Sequence, residues 1–362
     1  MKQKIAIFGG SFDPFHTDHL EIINECINTL NFDFVWVLPT FLSPFKIKVH
    51  ATDKHRINMI NIAIKDLKNV TLNTFEIDKK ESNTFKTVSY FIKNNPDFDF
   101  EFIMGSDQVG SFERWYNHDE LKKIIKFVVF KRNNDVDLNI VKNNGWDLRE
   151  FKNKNLSSSR IRSLINIDGQ IEELNQYAVD NLLFIEERLS MTKKRFDHSI
   201  NVGITAKELA LKFDKDNSNI ALIAGTLHDV AKELSDSELK LLIEGIDVEL
   251  LKEPKPVWHS FAGRKLLQTK WKITDNKILD AVFKHTVGSE NMSTLDKIVF
   301  CADKISSERD YDGVEKFRSL VFENLDAGFK ALLKQQYDVA VKKHGINNVG
   351  NQLLKTYKKY IN

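Results

Sequence analysis

The hydrophobic pattern changes once along the chain, and this change constrains the fold more than any other feature. In the first half, short apolar runs such as those at 5–8 and 34–38 alternate with segments of helical periodicity. Beyond about residue 168 almost every segment has helical periodicity. Alternating strands and helices predict parallel βαβ units in a doubly wound sheet. The second half predicts an all-α helical bundle.

The pattern predicts two domains, 1–184 and 185–362, with a joining helix near 185–189 that could belong to either. Strands are expected at 5–8, 34–38, 70–75, 100–104 and 127–130, and helices between them at 19–30, 54–67, 85–94 and 121–125. In the second half, helices are expected at 172–189, 198–212, 218–231, 235–242, 260–267, 278–283, 294–305 and 314–334.

Charge and cysteine content exclude several classes of protein. The 53 basic and 51 acidic residues nearly balance, which does not favour an electrostatic nucleic-acid binder. The sequence has no apolar stretch long enough to span a membrane, and its first residues lack a signal-peptide pattern. Cys26 and Cys301 lie in apolar contexts, which argues against a disulfide framework or a cysteine metal site. We therefore expect a reducing, cytoplasmic setting.

The segment GGSFDPFHTDHL at 9–20 directly follows the first strand and opens a helix. Gly9 and Gly10 allow the backbone to approach a bound group closely, and a helix N-terminus favours phosphate. His16 and His19 are three residues apart, so they lie on one face of a helical turn and can donate to phosphate oxygens. The two histidines alone are equally compatible with capping the helix or binding a metal.

This segment resembles the nucleotidyltransferase signature G-G-[ST]-F-D-P-x-H-x-G-H, and LSSSRIR at 156–162 resembles the second signature, I-S-S-T-x-I-R. The resemblance implies transfer of a nucleoside monophosphate from a triphosphate, with release of pyrophosphate. It places Gly9, Gly10, Ser11, Phe12, Ser157, Ser158, Ser159 and Arg162 at the nucleotide. Asp18 stands where the signature has Gly, and we expect its carboxylate to face outward at the helix N-terminus. Ser159 replaces the usual Thr and keeps the hydroxyl.

Further motifs resemble the bacterial nicotinate-mononucleotide adenylyltransferases over residues 1–184. The matching residues are Lys46, Arg56, Thr84, Thr87, Gly105, Asp107, Trp115 and Arg132. The resemblance implies ATP, nicotinate mononucleotide and Mg²⁺ as substrates and cofactor, with charge neutralised by His16, His19, Lys46 and Arg162. Taken singly, Thr84 and Trp115 are more readily explained by packing than by binding. A pantetheine phosphate or a cytidylyl acceptor remains an alternative substrate.

A second constellation lies beyond residue 185, where histidines and aspartates recur beside apolar helical runs. Any one of these histidines is more often a core residue than a ligand, but a helical bundle can bring such residues to one core site. Imidazole and carboxylate ligands suit Fe, Mn, Zn or Co. The candidate ligands are His198, His228, Asp229, His259, His285 and Asp303.

The ordered pattern H…HD…H…H…D resembles the HD-domain phosphohydrolases. The strings LHDVAK and FCADKISSER are similar to those of the bacterial symmetrical diadenosine tetraphosphate hydrolases. The resemblance implies two metals, expected to be Fe or Mn, bridged by Asp229, and cleavage of a dinucleoside polyphosphate to two ADP. Lys232 and Arg309 are then expected to contact phosphate, with a solvated charge as the alternative, and His344 is expected at the surface.

Two alternatives for the second domain stay open. The HD site could act on another nucleotide, such as an alarmone, a deoxynucleotide or a monophosphate, or the domain could only sense nucleotides. The sequence also leaves the oligomeric state open, and a homodimer is compatible with it.

Overall fold

The computed structural model describes residues 2–42, 50–132, 137–165 and 167–361. The chain divides into two compact units, Met1–Ala178 and Val179–Asn362. The division lies slightly before the boundary expected between residues 184 and 185, so the helix at 185–189 lies in the second unit. In the described part of the chain, no helix is both long and apolar enough to cross a membrane.

The first unit is built on a parallel sheet in the order β3-β2-β1-β4-β5-β6, which confirms the doubly wound α/β class. Its strands are β1 (Gln3–Gly10), β2 (Phe34–Pro39), β3 (Val70–Leu72), β4 (Phe98–Gly105), β5 (Lys126–Phe130) and β6 (Asp147–Arg149). Ile5–Phe8 is buried on both faces, as a central parallel strand requires. Strand order reverses between β1 and β4, which is where ligands bind in such sheets.

The helices of the first unit connect these strands. They are α1 (Thr17–Asn28), α2 (Asp53–Ile64), α3 (Phe75–Lys79), α4 (Thr84–Asn94), α5 (His118–Ile124), α6 (Leu138–Asn143) and α7 (Ser158–Arg162), and α8 (Glu172–Asp180) crosses into the second unit. A 3₁₀ helix, Ser106–Arg114, follows β4 directly. It brings the segment after Gly105 to the same sheet edge as the Gly9-Gly10 turn.

The second unit is helical, as expected for the bundle. Its helices are α9 (Ile185–Leu189), α10 (Lys193–Phe213), α11 (Ser218–Leu227), α12 (Asp236–Glu244), α13 (Trp258–Thr269), α14 (Asn276–Lys284), α15 (Thr294–Ile305), α16 (Val314–Glu323), α17 (Leu325–His344) and α18 (Asn351–Tyr360). The core between α10, α11, α14 and α15 holds fully buried residues such as Val202, Ala224 and Val299.

Several expected elements were wrong in extent. The expected helix at 172–189 is interrupted at 181–184, where Leu182 and Phe184 adopt positive φ of 48° and 60°. The expected helix at 314–334 breaks at Asn324, whose side chain accepts from the Ala327 N–H at 3.0 Å and starts a new helix. The helix expected to carry His228 and Asp229 ends at Leu227. The expected strand at 70–75 ends at Leu72, and β6, α6 and α18 were not predicted.

Candidate active sites

A cavity of about 1190 Å³ lies in the first unit at the carboxyl ends of β1 and β4. Most of the residues expected at the nucleotide line this cavity. They are Gly9, Gly10, Ser11, Phe12, His19, Thr84, Gly105, Asp107, Trp115, Arg132, Ser157, Ser158, Ser159 and Arg162. Two sequence motifs separated by most of the domain therefore meet at one site.

The end of β1 and the turn that follows it leave no room for side chains at Gly9 and Gly10, because aromatic rings pack against these residues. A Cβ on Gly9 would lie 2.9 Å from the Phe102 ring, and one on Gly10 would lie 2.9 Å from the Phe12 ring. Phe12 itself adopts a positive φ of 46° and is buried. The backbone of this turn consequently forms part of the cavity wall without intervening side chains.

The two histidines of the motif have different positions. His19 lines the cavity, and its Nδ1 accepts the backbone N–H of His16 at 3.1 Å, so the ring proton lies on Nε2. His16 is the N-cap of α1, is 1% exposed, and stacks on His19 with ring centroids 3.6 Å apart. Burial, together with the Arg132 charge, lowers the pKa of His16 to about 3, so its ring is neutral. His16 is not among the lining residues and stacks against His19, so its expected phosphate contact stays a prediction.

The expectation that Asp18 faces outward is wrong. Asp18 is 1% exposed, and its two carboxylate oxygens accept the backbone N–H groups of Lys154 (3.1 Å) and Leu156 (2.9 Å). Asp18 therefore ties the helix after β1 to the start of the second motif. The carboxylate stabilises the fold because it accepts two N–H groups that have no partner in a strand or helix.

The second motif forms a short helix start beside the cavity. Ser157 caps α7 by accepting from the Arg160 N–H at 3.3 Å. Ser158 donates to the Pro14 carbonyl at 2.8 Å, and Arg162 donates to the Asp13 carbonyl at 2.5 Å. These bonds lock the second motif to the first and leave Ser159 and Arg162 on the cavity wall.

Thr84 and Trp115 line the cavity near the start of α4. The half-buried Trp115 ring packs against Phe102 and Phe112, with centroids 6.0 and 5.4 Å away. Asp107 and Arg132 lie on the cavity wall with Oδ1 and a guanidinium nitrogen 3.6 Å apart. The cavity therefore offers an aromatic surface and separate charged groups.

Two of the expected binding residues, Arg56 and Thr87, do not line the cavity, and a third, Lys46, lies outside the described residues. Arg56 is fully buried and does not line the cavity; it donates to the Ser11 carbonyl at 2.9 Å and to Asp53 at 2.6 Å, so it supports the glycine turn from behind. Thr87 is also fully buried and donates to Glu76 at 3.0 Å.

The second site is a buried cluster of histidines and aspartates in the second unit. Two groups of atoms are close enough to hold a metal ion, one from His198, His228 and Asp229 and the other from Asp229, His259 and His285. Asp229 Oδ2 lies 3.7 Å from His228 Nε2, and Oδ1 lies 3.1 Å from His259 Nε2 and 3.6 Å from His285 Nε2. Oδ2 of Asp229 therefore faces the group that contains His228, and Oδ1 faces the group of His259 and His285.

Asp303 completes the first of these groups. Its Oδ1 lies 3.3 Å from His198 Nε2 and 3.7 Å from His228 Nε2. Burial alone would raise the pKa of Asp303, but the His198 hydrogen bond and the Lys304 charge hold that pKa well below its usual range. Asp229 is likewise held below its ordinary pKa, against the effect of burial, by the hydrogen bond from His259, whose Nε2 lies 3.1 Å from Oδ1. Both carboxylates are therefore ionised.

Three of the four histidines are held neutral, which is the protonation state that a metal requires, whereas hydrogen bonds to Asp303 and Glu308 outweigh burial and raise the pKa of His198. Burial lowers the pKa of His228 to about 4 and also lowers the pKa values of His259 and His285. His228 donates from Nδ1 to the Gly225 carbonyl and His285 from Nδ1 to the Val282 carbonyl, both at 2.7 Å. Their Nε2 atoms are thus unprotonated and face the cluster, and His228 Nε2 is buried with no hydrogen-bond partner. This orphaned acceptor fits a divalent metal.

Basic side chains surround the cluster. Lys232 Nζ lies 3.0 Å from His259 Nε2 and 4.0 Å from Asp229, and Arg309 contacts Asp303 at 2.6 Å. Arg195, which the sequence did not single out, contacts Asp229 at 2.6 Å. All three are partly exposed, so they can reach an anionic ligand at the mouth of the cluster.

Comparison with known proteins gives consistent matches for both units. The cytidylyltransferase-like family model matches residues 7–164, and the HD domain model matches residues 195–308. A Mycoplasma genitalium protein named "Probable nicotinate-nucleotide adenylyltransferase/Ap4A hydrolase" is 31% identical over 94% of this chain and 98% of its own length. The Mycoplasma pneumoniae protein of the same name is 28% identical over 84% of this chain and 88% of its own. The chain belongs to this family of two-domain enzymes.

Two solved structures are each similar to about half of the chain. An HD superfamily hydrolase from Clostridium acetobutylicum covers 52% of this chain and 96% of its own, with 26% identity and a TM-score of 0.43. The Plasmodium falciparum nicotinic acid mononucleotide adenylyltransferase complexed with NaAD covers 51% of this chain and 98% of its own, with 22% identity and a TM-score of 0.44.

Three residues near the family's two sites were missed by the sequence analysis. Arg195 lies three residues before His198 on α10, so helical spacing could have indicated it. Glu76 lines the first cavity but directly follows a segment that was expected to be a strand, and no motif indicated it. Glu308 contacts His198 from a turn beyond α15, and no periodicity could have placed it there.

Proposed function

We propose that the chain is a bifunctional enzyme whose first domain transfers an adenylyl group from ATP to nicotinate mononucleotide. The products are nicotinate adenine dinucleotide and pyrophosphate. The observation that carries this proposal is the single cavity lined by both nucleotidyltransferase motifs together with Thr84 and Trp115. The relatives' names support the same acceptor.

The first reaction requires positioning and charge neutralisation rather than a covalent enzyme group. The acceptor phosphate attacks the α-phosphorus of ATP in line and displaces pyrophosphate. His19 donates from Nε2 toward the phosphates, and the buried His16 ring fixes its orientation by stacking. Arg162 and Lys46 neutralise the triphosphate, and Mg²⁺ accompanies ATP. Gly9, Gly10 and the α7 start bring backbone N–H groups to the same place.

The acceptor is tested by giving the full-length protein ATP, Mg²⁺ and one acceptor at a time. We expect dinucleotide and pyrophosphate from nicotinate mononucleotide, with the acid preferred over the amide. A faster reaction with pantetheine phosphate, without reaction on nicotinate mononucleotide, would overturn the assignment.

We further propose that the second domain hydrolyses a nucleotide, with diadenosine tetraphosphate cut to two ADP. This proposal rests on the arrangement of the candidate ligands. Asp229 belongs to both groups of atoms that could hold a metal ion, and histidines supply the other atoms of each group. His198, His228 and Asp303 would hold one metal, and His259 and His285 the other, with Fe or Mn as the expected ions. Bound metals of this kind activate water and stabilise phosphate charge. The substrate follows from the Mycoplasma names.

The chain's own residues supply orientation and charge around that site. Lys232, Arg309 and Arg195 place three cations within reach of substrate phosphates. The burial of His228 and Asp229, 0% and 4% exposed, limits access of bulk water to the reacting phosphate.

The substrate is tested by a nucleotide screen with metal-reconstituted protein. We expect diadenosine tetraphosphate to yield two ADP; AMP plus ATP would contradict symmetric cleavage. Preferred hydrolysis of an alarmone, deoxynucleotide or monophosphate would redirect the assignment. Nucleotide binding without hydrolysis of any of these would indicate a sensing module.

The setting we propose is the cytoplasm, where ATP and pyridine nucleotides are available. Cys26 and Cys301 are both free and buried, as suits a reducing compartment. A homodimer is a further proposal that size measurements in solution would test.

A further inference from the structure

Three histidines of the second site make a hydrogen bond through Nδ1 that orients the ring. In two of them the partner is a backbone carbonyl, and in His198 it is a carboxylate. His228 and His285 follow the last residues of α11 and α14, and their Nδ1 atoms bond to carbonyls of the preceding helical turn. Carbonyls in a last helical turn have no partner in the helix, so they are available as acceptors. His198 instead lies inside the 21-residue helix α10, where the carbonyls belong to the helical ladder.

The acceptor for His198 comes from another part of the unit. Glu308 Oε1 lies 2.5 Å from His198 Nδ1, while His198 Nε2 faces Asp303 at 3.3 Å. The two ring nitrogens point in different directions, so a carboxylate on Nδ1 leaves Nε2 directed at the cluster. Glu308 is therefore an orienting partner of His198, placed away from the ligand side of its ring.

The turn that carries Glu308 is held rigidly. Ser306 is fully buried and donates to the same Glu308 oxygen at 2.7 Å. Arg318 from α16 donates to the carbonyls of Ile305 and Ser306, each at 2.8 Å. Such support leaves the Glu308 carboxylate little freedom to move away from His198.

We propose that Glu308 is a positioning residue that sets the metal affinity of the half-site formed by His198, His228, Asp229 and Asp303. This inference rests on the proposed two-metal function. A carboxylate acceptor on Nδ1 fixes the tautomer and raises the basicity of the ligand nitrogen more than a neutral carbonyl does. The half-site of His259 and His285 has no contact with Glu308 in the described structure, so its affinity should be independent of Glu308.

The test is metal binding by full-length, metal-stripped protein, titrated with Mn²⁺ against a competing chelator. Wild type should bind two ions per chain. Glu308→Gln should weaken one of the two by about 10–100-fold, the usual effect of losing an outer-shell partner, and leave the other unchanged. Glu308→Asp should recover part of the affinity. The control is Glu249→Gln, which removes an exposed carboxylate paired with Lys252 and should behave as wild type.

A double-mutant cycle separates orientation from a general effect on folding. If Glu308 acts only through His198, then Glu308→Gln should have no further effect in a His198→Ala background. It should retain its effect in a His285→Ala background. Equal losses at both ions, an unchanged affinity, or a lower melting temperature of the metal-free variant would overturn the inference. A wild-type chain that binds no transition metal would instead overturn the proposed function, and this inference with it.

Discussion

In the first unit the candidate site is formed by turns at the ends of parallel strands, whereas in the second it is formed by side chains from separate helices. Residues 9–19 supply a large part of the first site in one continuous run. The six ligands of the second site are spread from residue 198 to residue 303. A continuous motif carries its local geometry in its own backbone, but dispersed ligands depend on how the helices pack.

The largest expected effect is the complete loss of one activity while the other is retained. Asp229→Ala removes the carboxylate that faces both metal groups, so phosphohydrolysis should be abolished and bound transition metal should fall. Adenylyl transfer should persist. Metal analysis and both activity assays on the same preparation check this, with Asp312→Ala, which removes an exposed acid, as the control. Loss of both activities would show that the two sites do not work independently.

The reverse experiment uses the first site. His19→Ala removes a donor on the cavity wall, and the loss of one preorganised donor should lower kcat by about 10²–10³-fold, or ~2.7–4 kcal/mol. Hydrolysis at the second site should be unchanged. His344→Ala, at an exposed helix end, is the matched control. A change confined to KM would mean that His19 contributes only to ground-state binding.

A third prediction concerns Glu76, a buried carboxyl group on the wall of the first cavity. Burial raises the pKa of Glu76 from 4.5 to about 7. The folded state then binds the proton more tightly than the unfolded state, so the free energy of unfolding falls as pH rises from about 4.5 to 7. Glu76→Gln should remove this loss, gaining at most about 3 kcal/mol on wild type at neutral pH.

The measurement for Glu76 is calorimetry of the unfolding transition that ATP and Mg²⁺ shift, at pH 5 and pH 8. Wild type and Glu76→Gln should be most alike at the lower pH. The same difference between them at both pH values would contradict the raised pKa.

The smallest expected effect concerns the residue that departs from the signature. Asp18→Ala leaves the N–H groups of Lys154 and Leu156 without an acceptor, which should cost about 2 kcal/mol of unfolding free energy. Asp33→Ala is the control, since Asp33 accepts a backbone N–H from Lys4 at an exposed position and should cost less. Equal, small losses in the two variants, measured by urea unfolding, would show that the Asp18 bonds contribute little.

The sequence by itself was sufficient for the fold class and for the identity of the motif residues. Strand–helix alternation follows from local hydrophobic periodicity, and a signature such as GGSFDPFH specifies its own turn. The six spaced ligands of the second site could also be named, because each stands beside an apolar helical run. Each of these patterns is determined by residues that are close together in the sequence.

Tertiary structure alone decided the partners of buried polar groups. Asp18 turned inward because two N–H groups far along the chain lacked acceptors, and Arg56 supports the glycine turn rather than lining the cavity. Glu308 reaches His198 across 110 residues of sequence. Such contacts arise where a buried donor or acceptor must be satisfied by whatever the fold brings close, and no local pattern encodes that choice.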